Sequence, residues 1–167
     1  MQCGFFMSKP ALHSQAPDFT APVIGGGYKA GDTLSLSQLH GQKVVLYFYP
    51  KDDTPGCTKQ ACALRDGWQR ISAKARVFGI SVDSVKSHAK FITKYVLPFP
   101  LIADDDHRIV NAYGVWVEKS MYGKTYMGTE RSTFVIGKDG KIAAIFEKVK
   151  PDEHLEAVLA ALDRKEG

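Results

Sequence analysis

Val44-Val45-Leu46-Tyr47-Phe48-Tyr49-Pro50-Lys51-Asp52-Asp53-Thr54-Pro55-Gly56-Cys57-Thr58 joins an apolar run to a polar turn and then to a helix start. The run from Val44 to Tyr49 has no polar alternation, so it predicts a central strand buried on both faces. Pro50 ends it, and Lys51 to Gly56 reads as a loop. Pro55 suits the first position of a helix, because its φ is already fixed and its missing N–H has no partner to lose there. The helix is expected from about Gly56 to Ala75, with Ala61, Leu64, Trp68 and Ile71 at helical spacing. Cys57 then falls in the first turn, where unpaired N–H groups and the positive end of the helix dipole favour a thiolate over a thiol. That effect reaches ~2 kcal/mol for a well-placed charge. Strand ends of open α/β sheets are also where ligands dock. A nearby cation would help further. Arg65 and Arg131 are the candidates, with Lys51 and Lys59 weaker because an ammonium on a flexible stem hydrates readily.

Upstream, residues 17 to 36 read as extended and turn-rich, with Gly25-Gly26-Gly27 as the bend between Val23-Ile24 and Leu34-Ser35-Leu36. No Lys-Ser/Thr pair follows the glycines, so a phosphate loop is disfavoured. Downstream, Val77 to Val82 predicts a strand. Ser84 to Val96 predicts a helix with Val85, Ala89, Ile92 and Val96 on one stripe, closed by Pro98 and Pro100. A short helix is expected from Asp104 to Tyr113, with acids at its positive end. Ser132 to Ile136 and Lys141 to Phe146 flank Lys138-Asp139-Gly140 as a hairpin would. Pro151-Asp152-Glu153 opens a last helix carrying Leu155, Val158, Leu159 and Leu162. This order of strands and helices implies an α/β domain, a central mixed sheet flanked by helices in the thioredoxin-like arrangement. Residues 1–14 read as an N-terminal extension expected to be poorly ordered, and 15–167 as one domain.

Composition narrows the function classes. At 167 residues and 44% hydrophobic, the chain can bury a core without disulfide or metal staples. The net charge of +4 is spread along the chain, with no dense Lys/Arg run to suggest nucleic acid or a membrane surface. Apolar runs are strand-sized, so no transmembrane span is expected. The start, Met1 to Met7, lacks the pattern of a signal peptide, and a reducing cytoplasm is the expected compartment. Three cysteines are too few for a secreted disulfide scaffold. The five histidines, His13, His40, His88, His107 and His154, are scattered singly, are expected mostly at the surface, and give zinc no ligand set.

Cys62 stands five residues after Cys57. On an intact helix that spacing separates the Cα atoms by roughly 8–9 Å, whereas a disulfide needs them within about 7 Å. If the two thiols form a redox pair, the first turns of the helix must unwind, and opening a helix end is far easier than unfolding the domain. The Cys-x-x-Cys spacing of a disulfide reductase is absent.

Tyr47 to Thr58 resembles the P-x-x-x-T-x-x-C motif of peroxiredoxins, and with Lys59-Gln60-Ala61-Cys62 it is similar to the Q-type, or bacterioferritin-comigratory, subfamily. Gly79-Ile80-Ser81-Val82-Asp83, Tyr113-Gly114-Val115-Trp116, Glu118-Lys119-Ser120 and Arg131-Ser132-Thr133-Phe134 extend the likeness, which runs from about Gln15 to Leu162. The resemblance implies that Cys57 attacks a hydroperoxide and becomes a sulfenic acid. Thr54 would hydrogen-bond thiolate and peroxide, and Arg131 would hold the thiolate and polarise the O–O bond. Pro50 would shield the pocket, and the N–H groups of Gly56 and Cys57 would orient the substrate. Cys62 would close an intramolecular disulfide, recycled by thioredoxin or a similar dithiol donor. No cofactor or metal is implied, Tyr113 and Trp116 would pack near the site, and a monomer is expected. Cys3 and Phe5-Phe6 precede the family's usual start, and Cys3 is read as incidental. Two other readings compete: a peroxide-sensing redox switch or chaperone, and a protein thiol–disulfide oxidoreductase.

Overall fold

The computed structural model describes residues 8–164. Cys3 and the Phe5-Phe6 pair lie outside them. The strands are β1 (Thr20–Ile24), β2 (Thr33–Ser35), β3 (Val44–Phe48), β4 (Arg76–Ser81), β5 (Leu101–Ala103), β6 (Trp116–Met121), β7 (Lys124–Thr129), β8 (Ser132–Ile136) and β9 (Ile142–Phe146). The helices are α1 (Pro55–Asp66), α2 (Trp68–Ser72), α3 (Val85–Tyr95), α4 (Arg108–Ala112) and α5 (His154–Leu162), with a 3-10 turn at Leu36–Leu39.

Seven strands form one mixed sheet in the order β2-β1-β5-β4-β3-β8-β9, and β6 pairs with β7 as a separate hairpin. At its centre β3 runs parallel to β4 and antiparallel to β8. All five residues of β3 are buried, which is why its sequence is apolar without interruption. Val44, Leu46 and Phe48 point to a layer closed by α4 and the 3-10 turn. Val45 and Tyr47 point to the layer formed by α1, α2, α3 and α5. Helices on both faces of a mixed sheet are the thioredoxin-like arrangement that the pattern implies.

Four local expectations are corrected. The long helix after Cys57 breaks at Gly67, where a Cβ would stand 2.4 Å from Leu155 Cδ2, so a larger residue there would push the Leu155 side chain of α5 aside. The short helix starts at Arg108 rather than at Asp104. The Asp104 carboxylate instead accepts the N–H groups of Ile109 and Val110 at 3.0 and 2.8 Å, serving the helix start from four residues upstream. In α3 the buried residues are His88 and Phe91, while Val96 is 76% exposed in a left-handed cap, so the stripe of Val85, Ala89, Ile92 and Val96 does not mark the inner face. Strands β5, β6 and β7 have no counterpart in the sequence reading. Neither β6 nor β7 carries the alternation that burial on one face would demand, and most of their residues are exposed.

Residues 13 and 14, in the expected extension, lie against β9. The His13 N–H donates to the Ile142 carbonyl at 2.8 Å, and the Ile142 N–H donates to the Ser14 carbonyl at 2.9 Å.

Candidate active site

β3 ends at Phe48, and the chain turns through Pro50 to Thr54 into α1, placing Cys57 in the first turn. Thr54 holds the N-cap position in extended conformation, with Pro55 following as the first helical residue. Its hydroxyl does not cap the helix. It donates to the Lys51 carbonyl at 2.8 Å, closing the loop on itself. The N–H groups of the first turn therefore have no side-chain cap and stay available to a negative charge.

Arg131 reaches this turn because of strand register. The antiparallel pairing of Phe48 with Ser132 brings the residue before β8 to the end of β3. Arg131 Nη2 donates to Cys57 Sγ at 3.4 Å, and Nη1 donates to Gln60 Oε1 at 2.6 Å. The planar fork is thus held by two residues on one face of α1, three positions apart. Gly56 lets the guanidinium approach, since a Cβ there would stand 3.0 Å from Nη2. Of the other candidate cations, Arg65 turns away to Asp66 and the Tyr95 carbonyl, and Lys59 lies 4.0 Å from Asp152 at the surface. Pro50 is half-buried beside the loop.

Cys57 is 2% exposed. Cys62 is half-buried, both thiols are free, and both lie within the single unbroken helix α1. Tyr113 and Trp116, expected beside the site, pack into the opposite layer. Tyr113 lies against Phe48 and Phe134, and Trp116 stacks on His107 at 4.5 Å.

Several residues around the site escape the sequence reading. Gln60 is fully buried and shares its face with Cys57, a relation the i, i+3 spacing would have signalled. Lys119 donates to the Thr129 carbonyl, and burial together with the Arg131 charge holds its ammonium below the ordinary lysine range. His154 and His88, expected at the surface, are 1% and 0% exposed. His154 Nε2 lies 2.7 Å from Thr133 Oγ1, and burial, reinforced by Arg131, pushes its pKa down to about 3. It is therefore a neutral ring beneath a fixed cation. Burial, with the nearby Cys57 and Asp52, also raises Tyr47 well above the usual phenol range. Among the described residues no group of three or more His, Cys, Asp or Glu is placed to hold a metal ion, and no helix is long and apolar enough to cross a membrane.

A thiol at a helix start, gripped by a guanidinium and followed on the same helix by a second thiol, is suited to nucleophilic redox chemistry. Comparison with known proteins agrees. Residues 12–145 match the AhpC/TSA family. A putative peroxiredoxin Bcp of Coxiella burnetii is 51% identical over 149 residues, covering 89% of this chain and 95% of that protein. Peroxiredoxin Bcp of Escherichia coli is 43% identical over 145 residues, covering 86% and 90%. Among solved structures, a mutant of Xylella fastidiosa PrxQ superposes with a TM-score of 0.82 at 34% identity, covering 95% of this chain and 97% of that one. A Xanthomonas campestris bacterioferritin comigratory protein, studied for alkyl peroxide reduction, superposes with a TM-score of 0.77 at 39% identity, covering 86% and 89%. The chain belongs to the AhpC/TSA family and, within it, to the Bcp or Q-type peroxiredoxins, which makes it a thiol peroxidase.

Proposed function

We propose that the protein reduces hydrogen peroxide and organic hydroperoxides at Cys57, resolves the product through Cys62, and is recycled by thioredoxin or a similar dithiol donor. The observation that carries this reading is the Arg131 fork, one arm 3.4 Å from the Cys57 sulfur and the other fixed by Gln60. The thiolate attacks the terminal peroxide oxygen, the O–O bond breaks, and the leaving oxygen takes a proton to depart as water or an alcohol. Cys57 is left as a sulfenic acid. Arg131 stabilises charge as it moves from sulfur to the leaving oxygen, and the uncapped N–H groups at Gly56 and Cys57 supply further donors. Because the Thr54 hydroxyl proton points to Lys51, its oxygen is the acceptor that orients the peroxide O–H. Pro50 limits water at the pocket mouth.

In the second step the Cys62 thiol displaces the sulfenic oxygen as water and forms the Cys57–Cys62 disulfide. Both residues sit in α1, five positions apart, so the first turns must unwind for this bond to close. A dithiol donor then takes over the disulfide, restoring both thiols. The organic hydroperoxide substrate class is supported by the activity studied in the Xanthomonas relative.

Peroxide consumption by the purified protein with a thioredoxin system tests the scheme. Cys57→Ser is expected to abolish turnover, and Cys62→Ser to consume about one peroxide per Cys57 before stalling. Retained thiol-dependent consumption by Cys57→Ser would overturn the assignment.

A further inference from the structure

The loop that delivers Cys57 is strapped to the rest of the molecule by carboxylates. Asp52 is buried, and its carboxylate accepts from Tyr49 Oη at 2.5 Å, from Ser87 Oγ at 2.7 Å and from His88 Nδ1 at 2.7 Å. Its own N–H donates to Asp83 Oδ2 at 2.9 Å, which also accepts from Ser81 Oγ at 2.6 Å. The neighbouring Asp53 adopts a left-handed backbone (φ 58°), and its carboxylate is held by Lys94 Nζ and Tyr95 Oη, each at 2.8 Å. A loop containing such a residue keeps its shape only when its surroundings fix it.

His88 is the keystone of this arrangement. Its ring is fully buried, with Nε2 2.9 Å from the Ile102 carbonyl and Nδ1 against the Asp52 carboxylate. Both nitrogens therefore face acceptor oxygens, and a proton must lie between Nδ1 and Oδ2 as well as on Nε2. A side chain present only to fill volume would need neither proton. We infer that His88 is a positioning residue for Cys57, fixing the Pro50–Thr54 loop onto α3 and β5 through the proton it shares with Asp52. It touches neither sulfur nor peroxide. It acts by holding the turn from which Thr54 and α1 start, so that the first turn of α1 can open and reclose from a fixed pivot.

The test pairs His88→Leu with the double variant His88→Leu/Asp52→Asn in the full-length reduced protein. In the single variant a buried carboxylate loses its proton partner, and breaking one side of such a pair is strongly unfavourable. Amide exchange across residues 51–58 should quicken about tenfold, and the second-order rate with hydrogen peroxide should fall about tenfold. Asp52→Asn alone breaks the same bond and should impair both readouts in the same way, so the double variant should lie within about threefold of Asp52→Asn, because the strap is already gone. Packing loss alone would be felt equally with Asp or Asn at position 52, so a His88→Leu effect undiminished in the Asp52→Asn background overturns the inference, as does a His88→Leu protein that behaves as wild type. If His88→Leu does not fold, Ser87→Ala tests the same strap, since it removes one donor to Asp52. It should quicken exchange at residues 51–54 about threefold, and unchanged exchange would overturn the proposal. The kinetic arm rests on the peroxidase reading, but the exchange arm uses no peroxide. A wild type inert to peroxide would sink that reading while leaving the strap to stand or fall on its own.

Discussion

One layer of the molecule, beneath α4 and the 3-10 turn, is closed by Leu46, Phe48, Phe78, Tyr113 and Phe134. Its one deeply placed phenol is satisfied, the Tyr113 hydroxyl donating to the Pro17 carbonyl at 2.7 Å. The opposite layer, beneath α1, α2, α3 and α5, holds Val45, Tyr47, Tyr49, Phe91 and Phe99, but also Cys57. Gln60, His88 and His154 are buried in the helices that cover it. Tyr47 Oη, Gln60 Nε2 and His154 Nδ1 on that side are buried without a hydrogen-bond partner among the described residues. A buried polar group left unpaired costs about 1–3 kcal/mol. The contrast teaches that the two sides of one sheet are built differently, with most of the unpaired buried polar groups of the described residues gathered on the side that holds Cys57.

The contrast can be broken by mutation, and the largest effect is expected on the apolar side. Phe134 is fully buried, edge-on to both Phe48 and Tyr113. Phe134→Ala should lower the free energy of unfolding by about 3–5 kcal/mol. The peroxide rate per folded molecule should stay within about threefold, even though Phe134 stands only three residues from Arg131. Denaturant unfolding with stopped-flow oxidation of the same samples checks both halves. A tenfold loss of reactivity in the folded fraction would show that the two layers are coupled.

On the polar side the signature reverses. Arg131→Met should reduce the second-order rate with peroxide by about 10²–10³, with a smaller loss of stability from the stranded Gln60 carbonyl, about 1–2 kcal/mol. Arg131→Lys sharpens the comparison. A single ammonium cannot reproduce the fork that meets Gln60 and Cys57 together, so it should recover only part of the rate. Full recovery would mean that charge alone matters and that the Gln60 arm is dispensable.

How much of this contrast is legible in the sequence depends on the range of the cause. The β3–loop–α1 segment is local: the apolar run, Pro50, Pro55 and the five-residue cysteine spacing each act within a few residues. They suffice for the strand, the helix start and the position of Cys57. Arg131 sits 74 residues from Cys57 and is brought in only by the β3–β8 register, so on residue pattern alone it competes equally with Arg65. The His88 network is less legible still. A lone histidine on a helix carries no periodic signal, and what buries it is the meeting of α3 with the Asp52 loop and β5. The β6–β7 hairpin is missed for the opposite reason. It leaves the sheet with most of its residues exposed, so it lacks the alternation by which strands are recognised.

The smallest effect is also the most specific, because burial shifts Asp104 on one side of the sheet and His154 on the other in opposite senses. On the apolar side, burial raises Asp104 from 3.8 to about 6, against the pull of the Ile109 and Val110 N–H groups. Its folded pKa lies above its unfolded one, so its stabilising contribution is complete below the unfolded value and is lost as pH rises through about 6. On the polar side, burial and Arg131 lower His154 from 6.5 to about 3. That contribution is present above the unfolded value and is lost as pH falls toward about 3. Between about pH 4.5 and 6 each group changes stability by at most about 1.4 kcal/mol per pH unit, with opposite sign, so the wild-type protein should show a shallow profile there. Asp104→Asn removes one slope and should leave stability falling as the solution is acidified. His154→Gln removes the other and should leave stability falling as pH rises across the same window. Equilibrium unfolding in denaturant at half-unit pH steps separates the three proteins. Parallel profiles for both variants would mean that the opposing titrations do not reside in the two layers of the sheet.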